Sequence, residues 1–241
     1  MPNTRVALIT GGIRGIGLAI SCELARHGIT PILNYRQDSA QAQKALREVR
    51  TLDPKAQVFQ ADVTAAAEVA KLVDACEALG PLEVLVNNVG AFLWKPWLVI
   101  TPEEWDRVLS SNLRSMFLCC RTVLPHMRVR GTGNVVNVLA MHTERIRAVP
   151  NSLPYAIAKT GGALLTKTLA KTEAPFGIRI NAIGPGFVES GEHTPQDAVR
   201  RIPMGRLTKA HEIAEAVCFL VSAHAAHITG QILDVHGGAL L

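Results

Sequence analysis

Short apolar, β-branched runs recur along the chain at residues 6–10, 31–35, 57–62, 82–88, 134–139, 178–183 and 231–235. Between them, residues 17–27, 39–52, 65–79, 102–130, 155–173 and 210–223 place apolar side chains at helical spacing. Strands that are apolar almost throughout suit a sheet covered on both faces. The alternation predicts an α/β fold, a doubly wound domain built on a seven-stranded parallel sheet. Local signals mark several boundaries. Thr101-Pro102-Glu103-Glu104 offers a capping hydroxyl, a proline at the first helical position and acidic residues in the first turn. Gly28 and Gly80 are placed to end their helices in the left-handed conformation. No linker, repeat or change of composition divides the chain, so 1–241 is expected to form one domain.

Composition narrows the class. Of the 241 residues, 48% are hydrophobic and 19% charged, which excludes a disordered, collagen-like or disulfide-built chain. Apolar runs fall short of the about 18 residues a membrane-spanning helix needs, and the N-terminus lacks a cleavable-signal pattern. A cytoplasmic protein with no membrane partner is expected. Cys22, Cys76, Cys119, Cys120 and Cys218 lack metal-type spacing and sit in apolar segments, so no metal or redox role is expected of them. The net charge of +5 is spread over small groups such as Arg128/Arg130, Arg145/Arg147 and Arg200/Arg201, unlike a nucleic-acid-binding surface.

The first strand runs into Thr10-Gly11-Gly12-Ile13-Arg14-Gly15-Ile16-Gly17, which opens the first helix. Glycines there allow a tight turn and close approach of a pyrophosphate to the helix N-terminus, so the segment is a candidate dinucleotide site. With its spacing at Gly11, Gly15 and Gly17, the turn resembles the TGxxxGxG segment of the short-chain dehydrogenase/reductase family. That resemblance extends over nearly the whole chain and implies a Rossmann-like domain. The second strand ends Asn34-Tyr35-Arg36 without the carboxylate that would favour NAD. Arg14 and Arg36 could both reach a 2′-phosphate, so NADP(H) is the expected cofactor.

By the same resemblance, Asp62 would hold the adenine amino group and Val63 would pack beside the ring. Asn87-Asn88-Val89-Gly90 matches the family's NNAG, with Asn87 and Gly90 lining the cofactor. Pro185-Gly186-Phe187-Val188-Glu189-Ser190 matches the PGxxxT segment, placing Pro185, Gly186, Val188 and Ser190 near the nicotinamide, with Ile16 in the phosphate turn.

Tyr155 and Lys159 stand at i and i+4 on one helical face, an arrangement in which an ammonium can lower the phenol's pKa and make it a general acid or base. The family resemblance implies that Tyr155 protonates a carbonyl oxygen, that Lys159 also binds the nicotinamide ribose, and that Asn112 holds a water in a proton relay. Asn112 could equally brace a distorted helix, and both roles can coexist. The family's catalytic serine is missing. Strand register puts Ala140 in its place, whereas spacing from Tyr155 lands on His142. Three readings stay open: His142 or Thr143 supplies the hydrogen bond, the substrate needs no serine, or activity has weakened.

Phe92, Trp94 and Trp97 follow the NNVG segment and either line a substrate cleft or pack their own loop. A short segment between Gly186 and Ile202 would leave room for a bulky or carrier-linked substrate. The pattern is closest to 3-oxoacyl-acyl-carrier-protein-reductase-like members, implying a small-molecule or carrier-linked carbonyl substrate. A pteridine or other C=N reductase is the enzymatic alternative, and a weakened NADP-binding sensor or scaffold the non-enzymatic one. The family resemblance further implies a homotetramer, with a dimer as the alternative.

Overall fold

The computed structural model describes residues 5–189, 194–195 and 197–239. Seven strands, β1 (Val6–Ile9), β2 (Thr30–Tyr35), β3 (Gln57–Gln60), β4 (Leu82–Asn87), β5 (Gly133–Val138), β6 (Ile178–Pro185) and β7 (Ile232–Val235), form one parallel sheet in the order β3-β2-β1-β4-β5-β6-β7. The helices are α1 (Gly15–Arg26), α2 (Ser39–Arg50), α3 (Ala66–Glu77), α4 (Pro102–Leu109), α5 (Ser115–Arg130), α6 (Leu153–Glu173) and α7 (Ala210–Val221). The winding direction reverses between β1 and β4, which opens a crevice beyond their carboxyl ends.

The two-residue period of the strands distributes the core between both faces. Val6 and Leu8 pack with α3, α5 and α6, whereas Ala7 and Ile9 pack with Ile20 and Leu24 of α1 and Ile213 and Val217 of α7. A third cluster joins α1 to α2 through Cys22, Ala25, Ala42 and Leu46. Burying both faces explains why the strands read as nearly continuous apolar runs. Among the described residues, no helix is long and apolar enough to cross a membrane.

Two local expectations change. The helical pattern over 102–130 is interrupted by a π-turn at Ser110–Arg114 that separates α4 from α5. The cause is Asn112, which donates from Nδ2 to Val108 O at 2.9 Å and Ala91 O at 2.8 Å, drawing the helix wall to the loop after β4. The start of α4 follows its sequence signal: Thr101 and Glu104 form a reciprocal capping box with Pro102 inside the first turn. Gly28 takes φ 71°, but Gly80 turns at φ 156°, outside the left-handed helical well.

A polar chain crosses the apolar interior and positions α6. Asn87 Nδ2 donates to Asn137 Oδ1 at 2.9 Å, Asn137 Nδ2 to Thr166 Oγ1 at 2.9 Å, and Thr166 Oγ1 to Gly162 O at 2.8 Å. Gly162 permits this proximity, because a Cβ there would lie 2.7 Å from Leu139 Cδ2. Replacing Asn137 with Leu removes the acceptor for the buried Asn87 amide and the donor to Thr166. The expected cost is about 1–3 kcal/mol, visible as a lower urea midpoint at unchanged denaturant slope.

Candidate active site

Sterics fix the glycine turn above β1. Gly11 and Gly15 have φ of 64° and 53°, and a Cβ on Gly17 would lie 2.3 Å from Gly11 O. Arg14 occupies the N-cap position of α1 without a side-chain capping bond, and the first turn contains no acidic residue. The helix therefore presents uncapped backbone N–H groups and a positive dipole end, with Ile16 in its first turn. Pyrophosphate binding fits this cradle.

Arg14 and Arg36 are exposed, the latter with its guanidinium 3.6 Å from Asp62 Oδ2. Arg36 and Asp62 border an open hollow of about 740 Å³, together with Gln37, Gln60 and Glu68. Burial acts to raise the Asp62 carboxyl, but hydrogen bonds from the Thr64 hydroxyl and N–H, with the Arg36 charge, hold it below the usual range. Val63 is buried beside it.

Of the two asparagines at the end of β4, one turns into the sheet interior and the other joins neighbouring backbone. Asn87, expected at the cofactor, turns inward into the polar chain, and its Nδ2 also lies 3.4 Å from Cys120 Sγ. Asn88 instead joins the crevice walls, donating from Nδ2 to Thr10 O at 3.1 Å and Gly11 O at 3.2 Å. Alternation along β4 could have signalled this, since consecutive residues face opposite ways. Gly90 is exposed, and a Cβ there would fall 2.2 Å from Asn112 Oδ1 and 3.3 Å from Lys159 Nζ. A bare backbone at Gly90 brings those two groups to one spot.

Asn112 serves its structural task through Nδ2, while its Oδ1 is buried without a hydrogen-bond partner among the described residues. That acceptor and the Lys159 ammonium suit a bound water or a ribose hydroxyl. Lys159 is 3% exposed and donates from Nζ to Val138 O at 2.8 Å; burial pushes it down to about 8. Tyr155 is half-buried, with Phe92 packed edge-on at 5.0 Å between ring centroids. Burial pushes its phenol up to about 12, opposite to the lowering expected from Lys159. Lys159 Nζ is committed to the strand carbonyl and stands 5.5 Å from the Tyr155 ring centroid.

Pro185 ends β6, and its carbonyl accepts from Met141 N at 3.1 Å. Gly186 lies against His236, where a Cβ would approach to 2.7 Å, and Val188 is buried. Ser190 lies outside the described residues. Ala140 stands two residues beyond the end of β5 and supplies no hydroxyl. The structure directs both ring nitrogens of His142, the expected substitute, to the C-terminal segment: Nε2 is 2.7 Å from Ala239 O and Nδ1 is 3.6 Å from Asp234 Oδ2. Thr143 keeps a buried hydroxyl without a partner among the described residues. Phe92 borders Tyr155 and stacks on Trp94 at 6.3 Å, whereas Trp94 and Trp97 are themselves largely exposed.

Residues 11–239 match the family model described as enoyl-(acyl carrier protein) reductase. The chain is 32% identical over 247 residues to the 3-oxoacyl-[acyl-carrier-protein] reductase FabG of Staphylococcus aureus, covering 99% of both chains. It is 32% identical over 245 residues to the acetoacetyl-CoA reductase of Allochromatium vinosum, covering 98% of this chain and 99% of the other. An actinorhodin polyketide ketoreductase variant solved with NADPH superposes with a TM-score of 0.90 at 32% identity, covering 98% and 97% of the two chains. A short-chain dehydrogenase from Bacillus anthracis gives 0.91 at 28%, with coverages of 98% and 97%. The chain belongs to the short-chain dehydrogenase/reductase family, in the group resembling 3-oxoacyl-acyl-carrier-protein reductases.

The buried ammonium has a consequence for stability. Lys159 titrates near 8 when folded and near 10.5 when unfolded, so between these values the unfolded chain binds more protons. Stability gained through this group rises across that window. Tyr155 acts oppositely above pH 10, where the unfolded phenol ionises before the folded one. Lys159→Met is expected to flatten the rise between about pH 8 and 10, measured by chemical denaturation across pH.

Proposed function

We propose that this chain is an NADPH-dependent reductase of carbonyl groups, with a 3-oxoacyl thioester as the favoured substrate type and Tyr155 as the proton donor. The observation that carries this reading is the meeting of Lys159 Nζ and Asn112 Oδ1 at Gly90, with the Tyr155 ring centroid 5.5 Å from the same ammonium. The cofactor would supply hydride. Gly11, Gly15 and Gly17 would admit its pyrophosphate, while Arg14 and Arg36 would receive a 2′-phosphate, consistent with the absence of a carboxylate at the end of β2.

Tyr155 would hold a proton for the developing alkoxide; its raised pKa keeps that proton in place at neutral pH. Lys159, released from Val138 O, would bind ribose hydroxyls and bring its charge towards the phenol. Asn112 Oδ1 would accept from a water that returns the proton from solvent. Thr143 is the remaining hydroxyl candidate near the strand end, whereas His142 is assigned to supporting the C-terminal segment. The absence of a hydroxyl at Ala140 favours one second reading, reduction of a C=N bond as in a pteridine. The names of the FabG and acetoacetyl-CoA reductase relatives support the carbonyl reading first.

An apolar groove along Leu109, Leu113, Phe117, Leu164 and Leu165 supports self-association, proposed as a homotetramer. Soluble, cytoplasmic operation is the corresponding proposal for location.

Tyr155→Phe is expected to lower the rate of NADPH-dependent 3-oxoacyl reduction by about 10²–10⁴-fold while NADPH affinity is retained. Steady-state kinetics and fluorescence titration read the two effects separately; an unchanged rate overturns the assignment. Arg36→Ala should weaken NADPH binding by about tenfold and leave NADH binding unchanged, the change of a charged hydrogen bond to an exposed phosphate. Equal loss for both cofactors would show that Arg36 does not read the 2′-phosphate.

A further inference from the structure

On the far side of the β5 and β6 ends from the glycine turn, three potential ligands converge that the proposed reaction does not use. They are His142 from the loop after β5, Asp234 from β7 and His236 just beyond it. Their donor atoms all lie within 4.8 Å of one another. Asp234 Oδ2 is 3.6 Å from His142 Nδ1 and 3.7 Å from His236 Nε2, too long for good hydrogen bonds. These two carboxylate–imidazole separations are within the span of donors that each reach about 2 Å to a shared ion, and the imidazole pair closes on the same point by a small ring rotation. The imidazole rings are tilted, with centroids 4.7 Å apart.

We propose that His142 Nδ1, the Asp234 carboxylate and His236 Nε2 form a binding site for a borderline transition-metal dication of the Zn²⁺, Co²⁺ or Ni²⁺ class. Two imidazoles and one carboxylate are a donor set these ions accept. Their orientation is supported from outside. The carbonyl of Ala239 can only accept, so His142 Nε2 carries the hydrogen in that 2.7 Å bond and Nδ1 keeps its lone pair for the ion. Gly184 makes room for the carboxylate, because a Cβ there would stand 1.9 Å from Asp234 Oδ1. His142 holds φ 58°, a left-handed conformation unusual for a side-chain-bearing residue, which aims its ring at the C-terminal segment.

Access and adjustment are both available. The imidazoles are buried, but the Asp234 side chain is 28% exposed and gives an approach for the ion and for a water as fourth ligand. His236 Nδ1 accepts from Gly238 N at 3.0 Å, so its ring hydrogen rests on Nε2 in the metal-free state. Metal binding moves that hydrogen to Nδ1 and turns the Gly238 N–H away, at the cost of one hydrogen bond. Glycine at 238, with φ 85°, allows the turn.

The bound ion would join the loop after β5 to β7 and the C-terminal tail. That tail meets the segment before α7, where Gly237 O accepts from Met204 N at 3.1 Å and a Cβ on Gly237 would crowd Ile202. The site would therefore brace the two walls flanking the end of β6, outside the hydride-transfer residues.

The full chain, stripped with a chelator and dialysed, is titrated with Co²⁺ and Zn²⁺. Expected are one saturating ion per chain, visible Co²⁺ absorption of a four-coordinate site, and a melting temperature that rises with metal concentration. Asp234→Asn, His142→Gln and His236→Gln should each weaken Co²⁺ binding by at least about tenfold. The paired change His224→Gln/His227→Gln, at exposed histidines, should leave it intact. Circular dichroism establishes that the variants are folded, and the isosteric Asp234→Asn keeps the test decisive where a histidine change unfolds the loop. Absence of saturable uptake, or equal binding by wild type and folded Asp234→Asn, overturns the proposal.

Discussion

The carboxyl edge of the sheet depends on a hydrogen-bonded knot between the ends of two adjacent strands. Thr10, 2% exposed, donates from Oγ1 to Val86 O and accepts there from the N–H groups of Asn88 and Val89 at 2.9 and 3.2 Å. Asn88 returns its amide to Thr10 and Gly11. These bonds lie where the sheet reverses its winding, so they hold the glycine turn on one side and the Gly90 backbone on the other at fixed separation. The second wall follows from the first: Gly90 faces Asn112, Asn112 distorts the helix beside it, and the polar chain through Asn137 seats α6 with Lys159.

Much of this was legible because the same residues answer to both local and global constraints. The seven strand positions could be read from apolar runs, since both faces of a parallel sheet are covered. Glycine turn, capping box and Tyr-x-x-x-Lys are local patterns whose geometry follows from spacing. A distorted helix at Asn112 was one of the roles its sequence position allowed, but helical periodicity persists through the π-turn, and the tie to Ala91 O, distant in sequence, is seen only in the fold. Which of Asn87 and Asn88 joins neighbouring backbone segments depends on which one faces the interior at the very end of β4. His142 could be nominated by spacing, but the partners of its nitrogens come from residues 234 and 239, which no local pattern near Tyr155 identifies.

Electrostatics separates the assembled site from a simple reading of neighbouring charges. An ammonium four residues after a phenol suggests stabilisation of the phenolate, yet here both groups are shifted towards their neutral forms by burial. The available hydrogen bond from Lys159 goes to backbone instead. The Asn112 acceptor oxygen and the Lys159 ammonium meet at Gly90, with the Tyr155 ring 5.5 Å from that ammonium. Charges that keep their ionised forms lie elsewhere, as at Arg36 and Asp62, 3.6 Å apart on an open hollow where solvent lowers the cost of holding ions.

The five cysteines have a practical chemical consequence. All are buried and free, and burial raises every one whose titration is displaced: Cys22, Cys76, Cys119, Cys120 and Cys218. Thiol reagents attack the thiolate, so the folded chain offers them little purchase at neutral pH. A cysteine introduced on an exposed helix face would consequently be the preferred attachment point for a fluorophore or spin label, without first removing the native five. Loss of that selectivity would in turn signal unfolding, making the native thiols internal reporters of the packed core.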